Sequence, residues 1–300
     1  MNEHVKESVR VLLTEIVDYA GLFPPSQLPM SEAVINYATY RNSNYDWMLG
    51  RFVLPVGRLN EFLESAKDFF SHDGKGAWQL SVLAGEDIEA TIRKIKDFNN
   101  SNAPYAVCDA LEVKAPTILK IEETVRALPD FLTAYFELPL NENLADLIST
   151  LAILHQRAKI RTGGVTDDAF PSADQITRFM RICLAANVPF KATAGLHHPI
   201  RCVKPLTYEK NAPSGTMHGF LNVFLAAAFL RQGFKPSLIQ ELLEDEWAES
   251  FTFDESGVLW RQEYFLSTAQ LQDLRRNRVV SFGSCSFVEP IADLQEIGLL

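Results

Sequence analysis

The 300-residue chain has no Cys-x-x-Cys pair; its four cysteines, Cys108, Cys183, Cys202 and Cys285, are scattered. A disulfide framework and a zinc knuckle are therefore not expected, and reduced thiols in a cytoplasmic protein are the natural reading. The chain also lacks any lysine-arginine cluster and carries a formal net charge of −10. Phosphate binding needs a basic surface, so a nucleic-acid partner is not expected. Long apolar runs are missing as well. The longest, Val223 to Leu230, is too short to span a bilayer, which argues against a membrane partner. The opening Met-Asn-Glu-His-Val-Lys-Glu puts charges where a signal peptide has its apolar core.

What is present is a globular composition, 47% hydrophobic and 22% charged. That length can bury a large core, as one barrel-sized domain or two ordinary ones. Short apolar segments alternate with helix-length ones. The expected strands are a short opening one in Ile16-Val17-Asp18-Tyr19, ended by Pro24-Pro25, then 48–56, 78–83, 105–111, 132–138, 159–162, 190–194 and 279–284. The expected helices cover 3–15, 31–41 (Ser31 as N-cap), 59–70, 87–98, 118–128, 144–158 and 173–186. Eight strands with helical crossovers predict an α/β fold, a closed (β/α)₈ TIM-type barrel over residues 1–300.

The pattern breaks at about 197–270, which reads as a helical and hairpin insertion before the last strand, over the barrel mouth or against a partner subunit. It holds an apolar helix (217–230), expected in the core or in a homo-oligomer interface, a second helix (236–247) and a hairpin turning at Asp254 to Gly257. An alternative count makes that hairpin a barrel strand and demotes the opening one.

Two lysines carry the main chemical signal. Lys159, in Lys-Ile-Arg-Thr-Gly-Gly, and Lys191, in Lys-Ala-Thr-Ala-Gly-Leu, are separated by one helix-length segment. They are expected at equivalent positions on neighbouring parallel strands, roughly 4.8 Å apart. Each ammonium would then disfavour the other's charge, and a neutral lysine is a nucleophile. Residues i and i+2 share a strand face, so Arg161 points with Lys159, Thr193 with Lys191, and Glu137 with Thr133 and Tyr135. That polar face should line the barrel, where polar residues at carboxyl strand ends serve catalysis.

These strand ends resemble those of deoxyribose-phosphate aldolase and its class I relatives. The first-strand Ile-Val-Asp-Tyr-Ala-Gly-Leu-Phe-Pro-Pro puts Asp18 at that family's aspartate. Asp109 falls on the fourth strand, where the family has another, and Glu137 in Tyr-Phe-Glu-Leu resembles the fifth-strand glutamate. Lys159 matches the Schiff-base lysine of Lys-x-x-Thr-Gly, Lys191 the lysine that tunes it, and Gly283-Ser284-Cys285-Ser286 the phosphate-binding end. The chain departs from the pattern at Arg161, where the family has a small residue, and at Ala-Gly-Leu-His-His-Pro, where it has a glycine pair. Phrases such as His-Gly-Phe-Leu-Asn-Val also look like those of bacterial proteins with no assigned activity.

The resemblance implies a lyase that forms an imine between Lys159 and a small carbonyl substrate bearing an anionic group, without a cofactor. Lys191, Asp109 and Asp18 would manage protons. Arg161, Thr162, Gly163, Thr193, His197, Glu137, Gly283 and Ser284 would bind substrate. Read structurally instead, Glu137 is the counter-ion of Lys159, and Arg161 pairs with Glu137. Two other readings stay open: a metal-dependent lyase or hydrolase using Glu137, His197 and His218, and a non-enzymatic, barrel-derived binding protein.

Overall fold

The computed structural model describes residues 5–70 and 76–300. Eight parallel strands close into a barrel: β1 (Val17–Tyr19), β2 (Leu49–Pro55), β3 (Trp78–Leu83), β4 (Ala106–Lys114), β5 (Thr133–Glu137), β6 (Arg157–Arg161), β7 (Phe190–Thr193) and β8 (Val279–Ser284). Each pairs with its sequence neighbours, and β1 closes the ring against β8, Asp18 opposite Gly283. This is a (β/α)₈ barrel of the TIM type.

Helices fill the crossovers where the apolar spacing demands them. In Ala173–Ala185, Ile176, Phe179, Met180 and Cys183 recur at helical spacing and form the buried stripe. Phe179 meets Phe190 of β7 edge-on at 5.3 Å. Ser172 starts this helix with a capping box to Gln175, and Asp87 and Thr117 cap Ile88–Asn102 and Ile118–Ala127. Ser31 is not a cap: it lies inside Met30–Arg41, which follows Pro29. The helix expected from Glu3 is described from Glu7 to Leu13, its first two positions falling outside the described residues.

Between β7 and β8 the chain builds more than one crossover. A two-stranded hairpin, Cys202–Pro205 with Ser214–Met217, comes first. Helix Phe220–Arg231 then joins the outer ring between Ala173–Ala185 and Thr268–Asn277, its Phe220 stacked on Phe282 of β8 at 5.0 Å. Phe220 through Phe229 are all buried within the chain, so the apolar helix belongs to the core and leaves no such face for a partner. Helix Pro236–Leu243 packs on it, and Trp260 of a three-stranded antiparallel sheet (Phe251–Phe253, Gly257–Trp260, Tyr264–Ser267) meets its Phe229 at 6.1 Å.

That sheet packs outside the barrel, against Glu7–Leu13 and Thr268–Asn277, and not over the mouth. The Asp254 carboxylate accepts from the Ser256 and Gly257 amides and makes its first turn. The hairpin is therefore no barrel strand, and the opening strand keeps its place. Of the added elements, the hairpin Cys202–Met217 lies on the mouth side, where Tyr208 reaches Glu289, and His197 before it borders the cavity. Among the described residues no helix is long and apolar enough to cross a membrane.

Candidate active site

Strand register sets the site. Glu137, Lys159 and Lys191 stand in line across β5, β6 and β7, and alternation turns all three side chains into the barrel. Both lysines are almost fully buried, 3% and 1% exposed. Their amines meet at one carboxylate: Lys159 Nζ lies 2.6 Å from Glu112 Oε2, and Lys191 Nζ lies 2.6 Å from Glu112 Oε1. Lys159 also pairs with Glu137 Oε2 at 2.8 Å, and Lys191 with Asp18 Oδ2 at 2.7 Å. Ser81 of β3 donates to Glu112, and Ser281 of β8 to Asp18, both at 2.8 Å. The Tyr135 ring lies 5.0 Å beneath the Lys191 charge.

Electrostatics inside this network run opposite to simple mutual discharge of two lysines. Burial works against the Lys191 charge, but Asp18 and Glu112 outweigh it and raise its pKa above the usual lysine range. Burial likewise pushes the Glu112 carboxyl up, and the charges and hydrogen bonds of Lys159 and Lys191 bring it well below the usual carboxylate range. Glu137 is lowered for the same reason: Lys159 and Arg161 overcome its burial. Lys191 is thus held as an ammonium by its carboxylates.

Above the network opens a cavity of about 810 Å³, lined among others by Lys159, Glu112, Glu137, Arg161, Thr193, His197, Gly283 and Cys285. Lys159 borders it, whereas Lys191 lies beneath with Asp18. Arg161, with its side chain 49% exposed, donates to Glu137 at 3.2 Å and borders both this cavity and a neighbouring one of about 480 Å³. Lys114, at the end of β4, borders both as well.

Several expected site residues do other work. Asp109 is absent from the lysine network; it holds Arg51 in a two-pronged pair, 2.7 Å on each prong, toward the amino ends of β2 and β4. Thr162 donates its hydroxyl to the Ala194 carbonyl at 2.6 Å and ties the ends of β6 and β7 together. Gly163 packs so closely on Gly195 that a Cβ there would come within 2.8 Å of the Gly195 Cα; it lets two loops touch and does not border the large cavity. Ser284 accepts from the Ser286 amide, and Ser286 from the Glu289 amide, so these hydroxyls close the chain's own turn into helix Val288–Glu296.

The histidines do not converge on Glu137. His197 Nδ1 faces Glu289 at 3.2 Å, His198 Nδ1 faces Asp293, and His218 Nε2 donates to the Pro171 carbonyl at 2.7 Å. Glu137 is occupied by Lys159 and Arg161. Among the described residues no group of three His, Cys, Asp or Glu side chains is placed to hold a metal ion.

Glu112, the hub of the network, escapes a reading by strict alternation, because β4 carries a bulge. Leu80 and Ser81 of β3 oppose Cys108 and Ala110, leaving Asp109 as an extra residue. The extra residue switches the inward set from odd to even numbers, so Asp109 and Glu112 both face inside. The polar Glu112 in Ala-Leu-Glu-Val-Lys was the available signal, and the expected strand stopped one residue short of it.

No protein-family model matches this chain, and no curated protein matches it. Fold and site together define its class, a TIM-type barrel with a buried lysine–carboxylate network under a cavity.

Proposed function

We propose that this protein is a lyase of the imine-forming type, acting on a small aldehyde or ketone that bears an anionic group. One observation supports this above the others: of two lysines sharing the Glu112 carboxylate, only Lys159 borders the cavity.

The Lys159 ammonium gives up a proton to solvent in the cavity it borders, beside the Glu112 and Glu137 carboxylates within 2.8 Å. Its lone pair then attacks the substrate carbonyl carbon, and the carbonyl oxygen leaves as water after taking up two protons. The resulting iminium draws the electron pair of the adjacent carbon–carbon bond as that bond breaks. One fragment leaves as a carbonyl compound, the proton of its β-hydroxyl passing to water in the cavity, and the enamine that remains is reprotonated at carbon and hydrolysed. Lys191, held cationic, keeps a positive charge beside Glu112 throughout. Arg161 and Lys114 at the rim supply the charge for the anionic end, Arg161 with its planar fork. The four cysteines are all free, in keeping with work in a reducing cytoplasm.

The test is borohydride reduction in the presence of a panel of small aldehydes and ketones, with peptide mapping. A reduced adduct confined to Lys159, and lost in Lys159→Met, is expected. No adduct with any carbonyl, or labelling only of surface lysines, would leave the network as a purely structural charge cluster.

A further inference from the structure

A second group of reactive side chains stands beside the same cavity, built from other connections. Cys285 follows β8 directly, His197 lies in the loop after β7, Tyr208 sits on the mouth hairpin, and Glu289 belongs to helix Val288–Glu296. Cys285 Sγ is 4.0 Å from His197 Nδ1 and 3.8 Å from the Tyr208 hydroxyl. Glu289 Oε2 accepts from Tyr208 at 3.0 Å and faces the same His197 nitrogen at 3.2 Å. Cys285 and His197 both border the cavity. The imine chemistry of Lys159 uses none of the four.

We propose that Cys285, paired with His197, is a second nucleophile of this cavity, one that captures small aldehydes at sulfur as hemithioacetals. The thiol proton passes to the His197 imidazole, whose positive charge is held by Glu289. The thiolate lone pair forms a carbon–sulfur bond to the aldehyde carbon as the carbonyl π pair moves onto oxygen. His197 returns its proton to that oxygen, while the Tyr208 hydroxyl, its hydrogen given to Glu289, stays beside the sulfur. Atoms and electrons balance with no oxidant or reductant.

The other thiols are unsuited to this. Burial pushes Cys108 and Cys183 up, and Cys202 up to about 11. Burial pushes Cys285 up too, but the hydrogen bond and charge of His197 bring it below the usual thiol value. For His197, burial opposes the charge, while Cys285 and Glu289 raise its pKa to about 9. The other titratable groups facing this pair are Tyr19 of β1 and Tyr208, both pushed up by burial, and His198, which lies beside Glu289 and pairs with Asp293. The inference is independent of imine formation at Lys159.

Alkylation of the native protein with iodoacetamide, with each cysteine followed by peptide mapping, tests it. At about pH 6, Cys285 should react at least about tenfold faster than the other three, and His197→Asn should remove that advantage. Equal rates, or an unchanged rate in His197→Asn, would overturn the pair. Because His197→Asn is a buried change, the wild type is also titrated by thiolate ultraviolet absorbance against Cys285→Ser. The difference should show ionisation below about 8.5, the free-thiol value, and a midpoint at or above it would count against the pair. In Lys159→Met, a small aldehyde such as propanal should slow Cys285 alkylation, and no protection would overturn the aldehyde assignment. Borohydride trapping at Lys159 fails or succeeds separately from all three results.

Discussion

Lys159 and Lys191 stand opposite one another on adjacent parallel strands and bind the two oxygens of a single carboxylate, Glu112. Five charged side chains from β1, β4, β5, β6 and β7 are thereby joined in one buried network. Its arrangement is asymmetric: one amine borders a cavity, and the other is sealed beneath it.

Removing the hub should be costly. Glu112→Ala leaves two buried ammonium groups without their shared partner and is expected to destabilise the fold by about 3–5 kcal/mol, measured by urea unfolding. Glu112→Gln keeps the shape and one acceptor oxygen, and should cost less.

The network also sets an acid and an alkaline limit. Glu112 and Glu137 have lowered pKa values in the folded chain, so their contribution is present above the unfolded value, about pH 4.3, and is lost as pH falls through the folded values. Lys191 has a raised pKa, so its contribution is complete below about pH 10.4 and is lost as pH rises through the folded value. Urea unfolding across pH should show the acid-side loss in the wild type and a shallower one in Glu112→Gln.

Asp109 and Arg161 separate stability from chemistry. Asp109→Asn weakens the Arg51 pair and is expected to cost about 1–3 kcal/mol in urea unfolding, while borohydride labelling of Lys159 persists. Arg161→Gln, at a half-exposed rim position, should change stability by no more than about 0.5 kcal/mol. It should raise KM for an anionic carbonyl substrate about tenfold and leave uncharged ones unaffected.

Chelation should leave trapping at Lys159 unchanged, because Glu137, His197 and His218 are committed to separate partners. Loss of trapping in a chelator, restored by added zinc or manganese, would contradict that arrangement.

Phe220→Ala should destabilise the fold by about 3–5 kcal/mol, since it opens a hole against Phe282. Thermal unfolding measures this directly, and sedimentation of the folded variant should match that of the wild type.

Regular elements were legible in the sequence where a single period governed them. Tyr135 and Glu137, Lys159 and Arg161, and Lys191 and Thr193 all face inward as their i, i+2 spacing requires, because β5 to β7 pair without a slip. Where a strand slips, alternation fails: counted on from Asp109 it turns Glu112 outward, and the resemblance had put the fourth-strand carboxylate at Asp109. Thr162, Gly163 and Ser284 looked available to a ligand because their backbone and loop partners are distant in sequence or hidden in a turn.

From the chain alone came eight strands, their order and the inward direction of both lysines, since alternation and crossover length are properties of neighbouring residues. Only closure of the barrel brought Asp18 of β1 and Glu112 of β4 to those amines, and gathered Cys285, His197, Tyr208 and Glu289 into one cluster. Those contacts join residues up to 173 positions apart, as in Lys191 with Asp18, and their geometry follows from register and loop packing around the whole ring. No local pattern of side chains encodes that.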